Sequence, residues 1–366
     1  MKEPIRVCYI LSYRDPRYIR ARAQMAALMR CDGIELIPAV NTRKGLFRYF
    51  ETLWAVLKVK HTKEPDVYIL GFRGHEIFWL IRLLVWRKPL IFDALMSPYA
   101  ALRYENKSGR FGRVLAPVVW WLESSALAHS DLLLTDTQLH VDYFVQAFGL
   151  NVDKFIAVPV GAEEAVVENA LLVKPDRLFT VLFYGSFLPL HGVGIIVRAA
   201  ALLKELPIRF EFIGGNKTQI KQFHSLCQQK GVQKYTHRAW VPFDQLIHTE
   251  IPNADLCLGG PFGDTPQARR VITTKTSQCL ALAKTVVIGA IAEKKGFEDK
   301  VNCLLVEQGD PEALAKSICW GFEHKEQLDE LGRRGQVLYQ DHLSLKVIAA
   351  RLEKAIDQVI IERESA

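Results

Sequence analysis

The sequence predicts an α/β fold of two open units, each a parallel sheet covered by helices. Three observations predict it. Short apolar runs alternate with helix-length amphipathic segments through both halves of the chain, the pattern of a parallel sheet with helices on both faces. The alternation is interrupted once, by an acidic stretch around Glu163, Glu164 and Glu168 that reads as a linker. The 366 residues, 49% hydrophobic and 24% charged, are enough for two sizeable cores.

In the first half, Ile5 to Leu11 reads as a strand. Asp15 to Arg30 follows as a helix, with Pro16 at its first position, where a missing N–H costs nothing. Ile34 to Val40 is strand-like, and Phe47 to Lys60 is helical, with Leu53, Trp54 and Leu57 on one side. A short strand from Asp66 to Leu70 leads through Gly71–Gly74 into an apolar helix from Glu76 to Trp86. Pro89 to Asp93 is a strand, and Val114 to His129 a long helix containing Trp120 and Trp121. Asp131 to Thr135, Gln138 to Phe148 and Phe155 to Val160 continue as strand, helix and strand.

The second half repeats the pattern. Strands are expected at Phe179 to Tyr184, Ile208 to Ile213, Tyr235 to Trp240, Asp255 to Leu258, Thr285 to Ile288 and Cys303 to Val306. Helices are expected at Val193 to Leu206, Gln219 to Gly231, Phe243 to Ile251, Pro311 to Glu323, Lys325 to Tyr339 and Leu343 to Ile361. Ligands of such sheets sit beyond the carboxyl ends of the strands. That rule singles out Ser12–Asp15, Gly71–Gly74, Asp93–Ser97, Thr135–Thr137, Gly161, Gly185–Gly192, Gly214–Asn216 and Gly259–Lys275.

Two of these loops carry the chemistry. From Gly259 the chain runs through a glycine-containing loop into a short helix for which Thr274 is the expected N-cap. Arg269 and Arg270 precede that helix and Lys275 lies in its first turn, so three cations oppose the positive end of the helix dipole. A bound anion would reverse that conflict; the alternative is that the cations point to water. The second loop, Gly185 to Gly194, joins a strand to a helix with Gly185, Gly192 and His191 placed to meet a phosphate. It is not GxGxxG and no Walker lysine follows, which argues against a dehydrogenase-type dinucleotide site.

The formal charge is +7, and residues 1–60 carry all of it, with twelve Lys+Arg against five Asp+Glu. A phosphorylated substrate, an anionic membrane surface or a solvated face would each account for that bias. No nucleic-acid motif accompanies it, so nucleic acid is not an expected partner. The apolar run Ile77–Trp86 is too short to span a bilayer and is interrupted by Arg82. The seven cysteines are scattered with no CxxC, so neither disulfides nor a zinc site is expected, and a reducing cytoplasm fits. The charged start, MKEPIRVCYI, is not a signal peptide.

Four segments of the second half resemble the retaining glycosyltransferases of family GT4. They are GSFLPLHGVGIIVRAAALL, IRFEFIGGN, FGDTPQARRVITTKTSQCLALAKTVVIGA and NCLLVEQGDPEALAKSI, in the family's order over residues 179 to 320. The resemblance implies a GT-B fold, two Rossmann-like domains facing across a cleft. It implies an acceptor-binding domain over 1–165, a linker over 166–178, a nucleotide-sugar domain over 179–340 and a closing helix over 341–366 that packs back on the first domain. The implied reaction moves a sugar, with retention, from a nucleotide diphosphate donor to a glycan or lipid-linked acceptor. It needs no metal or other cofactor, because cations and helix amides neutralise the leaving diphosphate. Peripheral contact with an anionic membrane, at its cytoplasmic face, is a further expectation.

The resemblance assigns donor binding to Gly185, Ser186, His191, Gly192, Gly214, Gly263, Asp264, Lys275 and Gln278. Asp93, Arg270 and Lys275 are the candidate catalytic residues; Asp93 ends a strand and would bind the transferred sugar or the acceptor, or else cap a turn. Asp136, Ser12 and Tyr13 also follow strands. The chain departs from the family at four places. Ser186 and His191 stand where an arginine and a lysine are usual, and Arg270 and Gln278 where two glutamates are usual. Arg269, Arg270, Lys275 and His191 are the expected replacements for the missing charge. The departures leave open a second reading, a catalytically inactive GT-B protein that acts as a binding or regulatory partner.

Overall fold

A computed structural model describes residues 3–16, 18–104, 109–162, 164, 178–293 and 295–364. The chain forms two compact units. One comprises the residues up to Gly161 together with the segment from Leu345 onward, and the other runs from Ala162 to Ser344. Most of the expected linker, residues 166–177, lies outside the described residues.

The first unit is built in chain order from β1 (Ile5–Leu11), α1 (Ile19–Leu28), β2 (Ile34–Val40), α2 (Phe47–Thr62), β3 (Val67–Leu70) and α3 (Phe78–Leu84). It continues with β4 (Leu90–Asp93), α4 (Pro98–Arg103), α5 (Gly109–Ala128), β5 (Leu132–Thr135), α6 (Gln138–Phe148) and β6 (Phe155–Ala157). Its six strands are all parallel, in the order β2-β1-β3-β4-β5-β6. Central strands such as VYIL and LLLT are buried along their whole length, which is why they read as continuous apolar runs. Side-chain alternation sends Val7, Tyr9 and Leu11 to one face, against α1, and Cys8 and Ile10 to the other, against α2, α3, α5 and α6. Pro38 is tolerated because β2 is an edge strand.

The second unit contains β7 (Phe179–Tyr184), α7 (Val193–Leu202), β8 (Ile208–Ile213), α8 (Lys217–Lys230), β9 (Tyr235–Arg238), α9 (Phe243–Gln245) and α10 (Ile251–Asn253). It ends with β10 (Leu256–Leu258), α11 (Thr274–Ala281), β11 (Val286–Gly289), β12 (Leu304–Val306), α12 (Pro311–Glu323) and α13 (Lys325–His342). Its sheet is again six-stranded and parallel, ordered β12-β11-β10-β7-β8-β9. The last helix, α14 (Leu345–Glu364), belongs to the first unit, where it packs on α1.

Three local expectations need correction. The first helix begins at Ile19, so Pro16 is not at its first position. The helix expected over Phe243–Ile251 is α9, a π turn over Leu246–Glu250 and then α10. Pro252 has no N–H to return to the turn before it, so the ladder widens there. The sequence reading missed α4, although Ser97 caps it through its hydroxyl, which accepts from the Ala100 amide at 3.0 Å, and Pro98 follows as a favoured first residue.

Candidate functional site

The site in the second unit begins where β7 ends. Gly185 follows Tyr184 with φ 123°, a conformation that side chains rarely allow, and its amide donates to the Ile213 carbonyl at 2.8 Å. Gly214, after β8, lies directly behind it; a Cβ there would stand 2.0 Å from the Gly185 carbonyl oxygen. The loop then turns through Pro189–His191 to Gly192, which opens α7.

The loop after β10 packs into this one, main chain against main chain. The Gly263 amide donates to the Leu190 carbonyl at 3.0 Å. A Cβ on Gly263 would stand 2.1 Å from the Pro189 carbonyl oxygen, and one on Gly192 2.6 Å from the Gly263 amide nitrogen. The two loops therefore hold each other at a distance that only glycines permit, and this fixes where α7 and α11 start.

Thr273, not Thr274, caps α11. Its hydroxyl accepts from the Thr276 amide at 3.3 Å and donates to the Gly259 carbonyl at 2.7 Å. Two residues on, Lys275 is only 5% exposed. Its Nζ lies 3.7 Å from the place a Gly185 Cβ would occupy and 5.5 Å from the centre of the Phe183 ring. Among the described residues no carboxylate pairs with it, and burial pulls its pKa down to about 7. His191 is in the same position electrically. Burial, and then repulsion from Lys275, pull its pKa down to about 3, while its Nδ1 hydrogen bond to the Ser186 carbonyl opposes the shift. In the neutral ring Nδ1–H donates to that carbonyl, so Nε2 is left as an acceptor. His191 therefore donates to an anion only after gaining a proton.

The two arginines before the helix are placed differently from Lys275. Arg269 is exposed and paired with Asp264, so neither is committed to the glycine loop. Arg270 is half-buried in the 3-10 turn Ala268–Arg270. Gln278 is buried one turn beyond Lys275 on α11, and Ser186 is exposed. The structure thus brings together Gly185, His191, Gly192, Gly214, Gly263 and Lys275. Sequence reasoning missed Phe183 beneath Lys275 and Ser277, whose buried hydroxyl has no hydrogen-bond partner among the described residues. No motif marks either.

Asp93 lies in the first unit and is committed there to a buried ion pair. It is fully buried, and both carboxylate oxygens are held by Arg20, through Nε at 2.8 Å and Nη2 at 2.9 Å. Arg20 also donates to the Val158 and Thr135 carbonyls at 2.9 and 3.0 Å, and Gln24 approaches the same carboxylate. The candidate catalytic aspartate is a structural clamp between α1 and the ends of β4, β5 and β6. Asp136 is likewise buried, bonded to His140 at 2.5 Å. The sequence reading also passed over Glu123 of α5. Burial raises its carboxyl to about 8, although its Oε2 accepts from the Tyr99 amide at 2.9 Å. Among the described residues no group of histidine, cysteine, aspartate and glutamate is arranged to hold a metal ion.

No family model matches the chain. The D-inositol 3-phosphate glycosyltransferase of Acidothermus cellulolyticus is 26% identical over 204 residues, 49% of this chain. The match spans only 44% of that relative. Likeness to solved structures runs over nearly the whole chain. Sucrose-phosphate synthase from Thermosynechococcus elongatus superposes with a TM-score of 0.74 at 15% identity, covering 98% of this chain and 99% of that one. Anabaena HepE, solved in complex with UDP and glucose, gives 0.70 at 15% identity, covering 96% and 99%. The fold is GT-B. A glycosyltransferase from Rickettsia africae shares it, with a TM-score of 0.69 at 12% identity over 98% of this chain and 99% of that one.

Proposed function

We propose that the chain is a GT4-type glycosyltransferase that takes its sugar from a nucleotide diphosphate donor. One observation carries the reading: a buried lysine with no carboxylate partner among the described residues, placed against the Gly185 loop and near the starts of two helices. A diphosphate supplies what that arrangement lacks. Lys275 and, once protonated, His191 would face the phosphoryl oxygens, with the first amides of α7 and α11 adding their partial charge. During transfer the bond from the anomeric carbon to the diphosphate breaks and a bond to an acceptor oxygen forms. The acceptor proton passes to an oxygen of the leaving diphosphate, whose growing negative charge Lys275 meets. We assign retention at the anomeric carbon, independence of metal and a glycan or lipid-linked acceptor to the same reading, in a reducing cytoplasm that suits seven free thiols.

The D-inositol 3-phosphate glycosyltransferase relative and the GT-B fold support an active enzyme over the binding-partner alternative. Gln278 supports weaker donor binding, since a neutral hydrogen bond to a ribose hydroxyl is worth about 1 kcal/mol less than a charged one. Calorimetry with UDP and GDP, followed by a donor-hydrolysis assay, tests the proposal. Binding with turnover is expected. Binding without turnover favours the inactive partner, and no binding of either nucleotide removes the donor site.

A further inference from the structure

We propose that the outward faces of α2, α3 and α5 form a surface that docks on an anionic lipid bilayer. These helices lie in one layer, over the same face of the first sheet. Their apolar stripes point the wrong way for a water-facing layer. On α2 the stripe Phe47, Phe50, Trp54 and Leu57 has helical spacing, yet the fully buried residues of this helix are Thr52 and Val56. On α5 the inner face is made of small residues such as Gly112, Ala116 and Ala126, while Phe111, Val114, Val118 and Trp121 face outward. Leu80 and Leu83 of α3, with Trp86 just beyond it, continue the pattern, and all these outward side chains are between 40% and 74% exposed. Lys60 of α2 donates to the Leu84 carbonyl at 2.7 Å and Trp79 meets His129 at 4.9 Å, so the three helices adjoin. Apolar patches of this extent on a folded chain mark an interaction surface.

Charge identifies the occupant. Residues 43–63, 78–88 and 109–122 hold eleven Lys+Arg and one acid, Glu51; Arg48, Arg82 and Lys88 pair with Glu76, Asp131 and Asp66 beside these stretches, so the basic excess lies with the other eight. Glu51 is itself held by the Thr42 and Arg43 amides at 3.0 and 2.8 Å. A second copy of this chain would bring the same cations to the contact and be repelled. A polyanion such as nucleic acid would satisfy the cations but leave the leucines and valines in water. An anionic bilayer satisfies both, with tryptophans at headgroup depth, aliphatic groups below them and lysines reaching back to the phosphates. No helix among the described residues is long and apolar enough to cross a membrane, so the contact is interfacial.

The inference does not rest on the donor site, and its test is separate. Full-length protein is floated with vesicles of phosphatidylcholine mixed with phosphatidylglycerol, and with phosphatidylcholine alone. Binding to the mixed vesicles at low salt, weakened by high salt, is expected. Phe50→Ser, Leu83→Ser and Trp121→Ser together should cut it about tenfold or more. Because these side chains are exposed, the thermal midpoint of the triple variant should match that of the parent. Absence of flotation at low salt overturns the proposal. So does a parent protein that is dimeric in solution and becomes monomeric in the triple variant, since the face would then be a self-association surface.

Discussion

At the scale of single residues, the proposed diphosphate site rests on Lys275. Its pKa of about 7, against an ordinary value of 10.5, means that the folded, empty chain holds this amine mostly neutral at pH 8. The unfolded chain binds the proton there and the folded chain does not, so stability rises with pH between about 7 and 10.5. A bound diphosphate reverses the balance by restoring the charged form. At pH 8 Lys275 should therefore take up about one proton per nucleotide bound. Calorimetry in buffers of different ionisation enthalpy measures that number. In Lys275→Met the uptake should fall by about one proton and affinity should fall about ten- to a hundredfold. The empty variant should be at least as stable as the parent, because a buried amine without a partner has been removed. Uptake unchanged in the variant would mean that the phosphates lie elsewhere.

At the scale of elements, α1 shows how a polar clamp does work that apolar packing usually does. Arg20 and Gln24 lie four residues apart on a helix otherwise rich in alanine, and both point into the sheet at Asp93. Removing either charge leaves the other buried and unpaired. Arg20→Met and Asp93→Leu should each cost about 3–5 kcal/mol, while the double substitution should cost clearly less than their sum. Urea unfolding measures all three. An Asp93→Asn variant with unchanged stability and no turnover would instead return this residue to the reaction. The clamp also shows where sequence reading stops. Buried parallel strands are legible because they are apolar throughout, and the Lys275 site is legible because a cation at a helix start breaks a local rule. Asp93 looked functional because it ends a strand. Its partner is 73 residues away in sequence, and nothing nearby marks an arginine as internal. Phe183 and Ser277 were illegible for a similar reason: a phenylalanine in a strand and a serine in a helix look ordinary until the lysine is placed beside them.

At the scale of the whole molecule, the first unit is discontinuous, and its completion depends on the last element of the chain. Leu345, Ile348, Leu352, Ile356 and Val359 of α14 are buried in the same core as Val7, Tyr9 and Leu11 of β1 and Ala21, Ala27 and Leu28 of α1. Burying such a side chain contributes about 1.5–3 kcal/mol, so five of them approach the entire stability of an ordinary domain, about 5–15 kcal/mol. The second unit, from Ala162 to Ser344, has its own two apolar layers, whose described residues all come from that unit. A chain ending at Ser344 should therefore lose its first unit and keep its second. Hydrogen exchange read by mass spectrometry separates the two. Amides of β1, β3 and β5 should exchange at rates near those of an unfolded chain, while those of β7, β8 and β10 stay protected. A truncated chain whose first sheet remains as protected as in the full-length protein would show that α14 covers a core already stable without it.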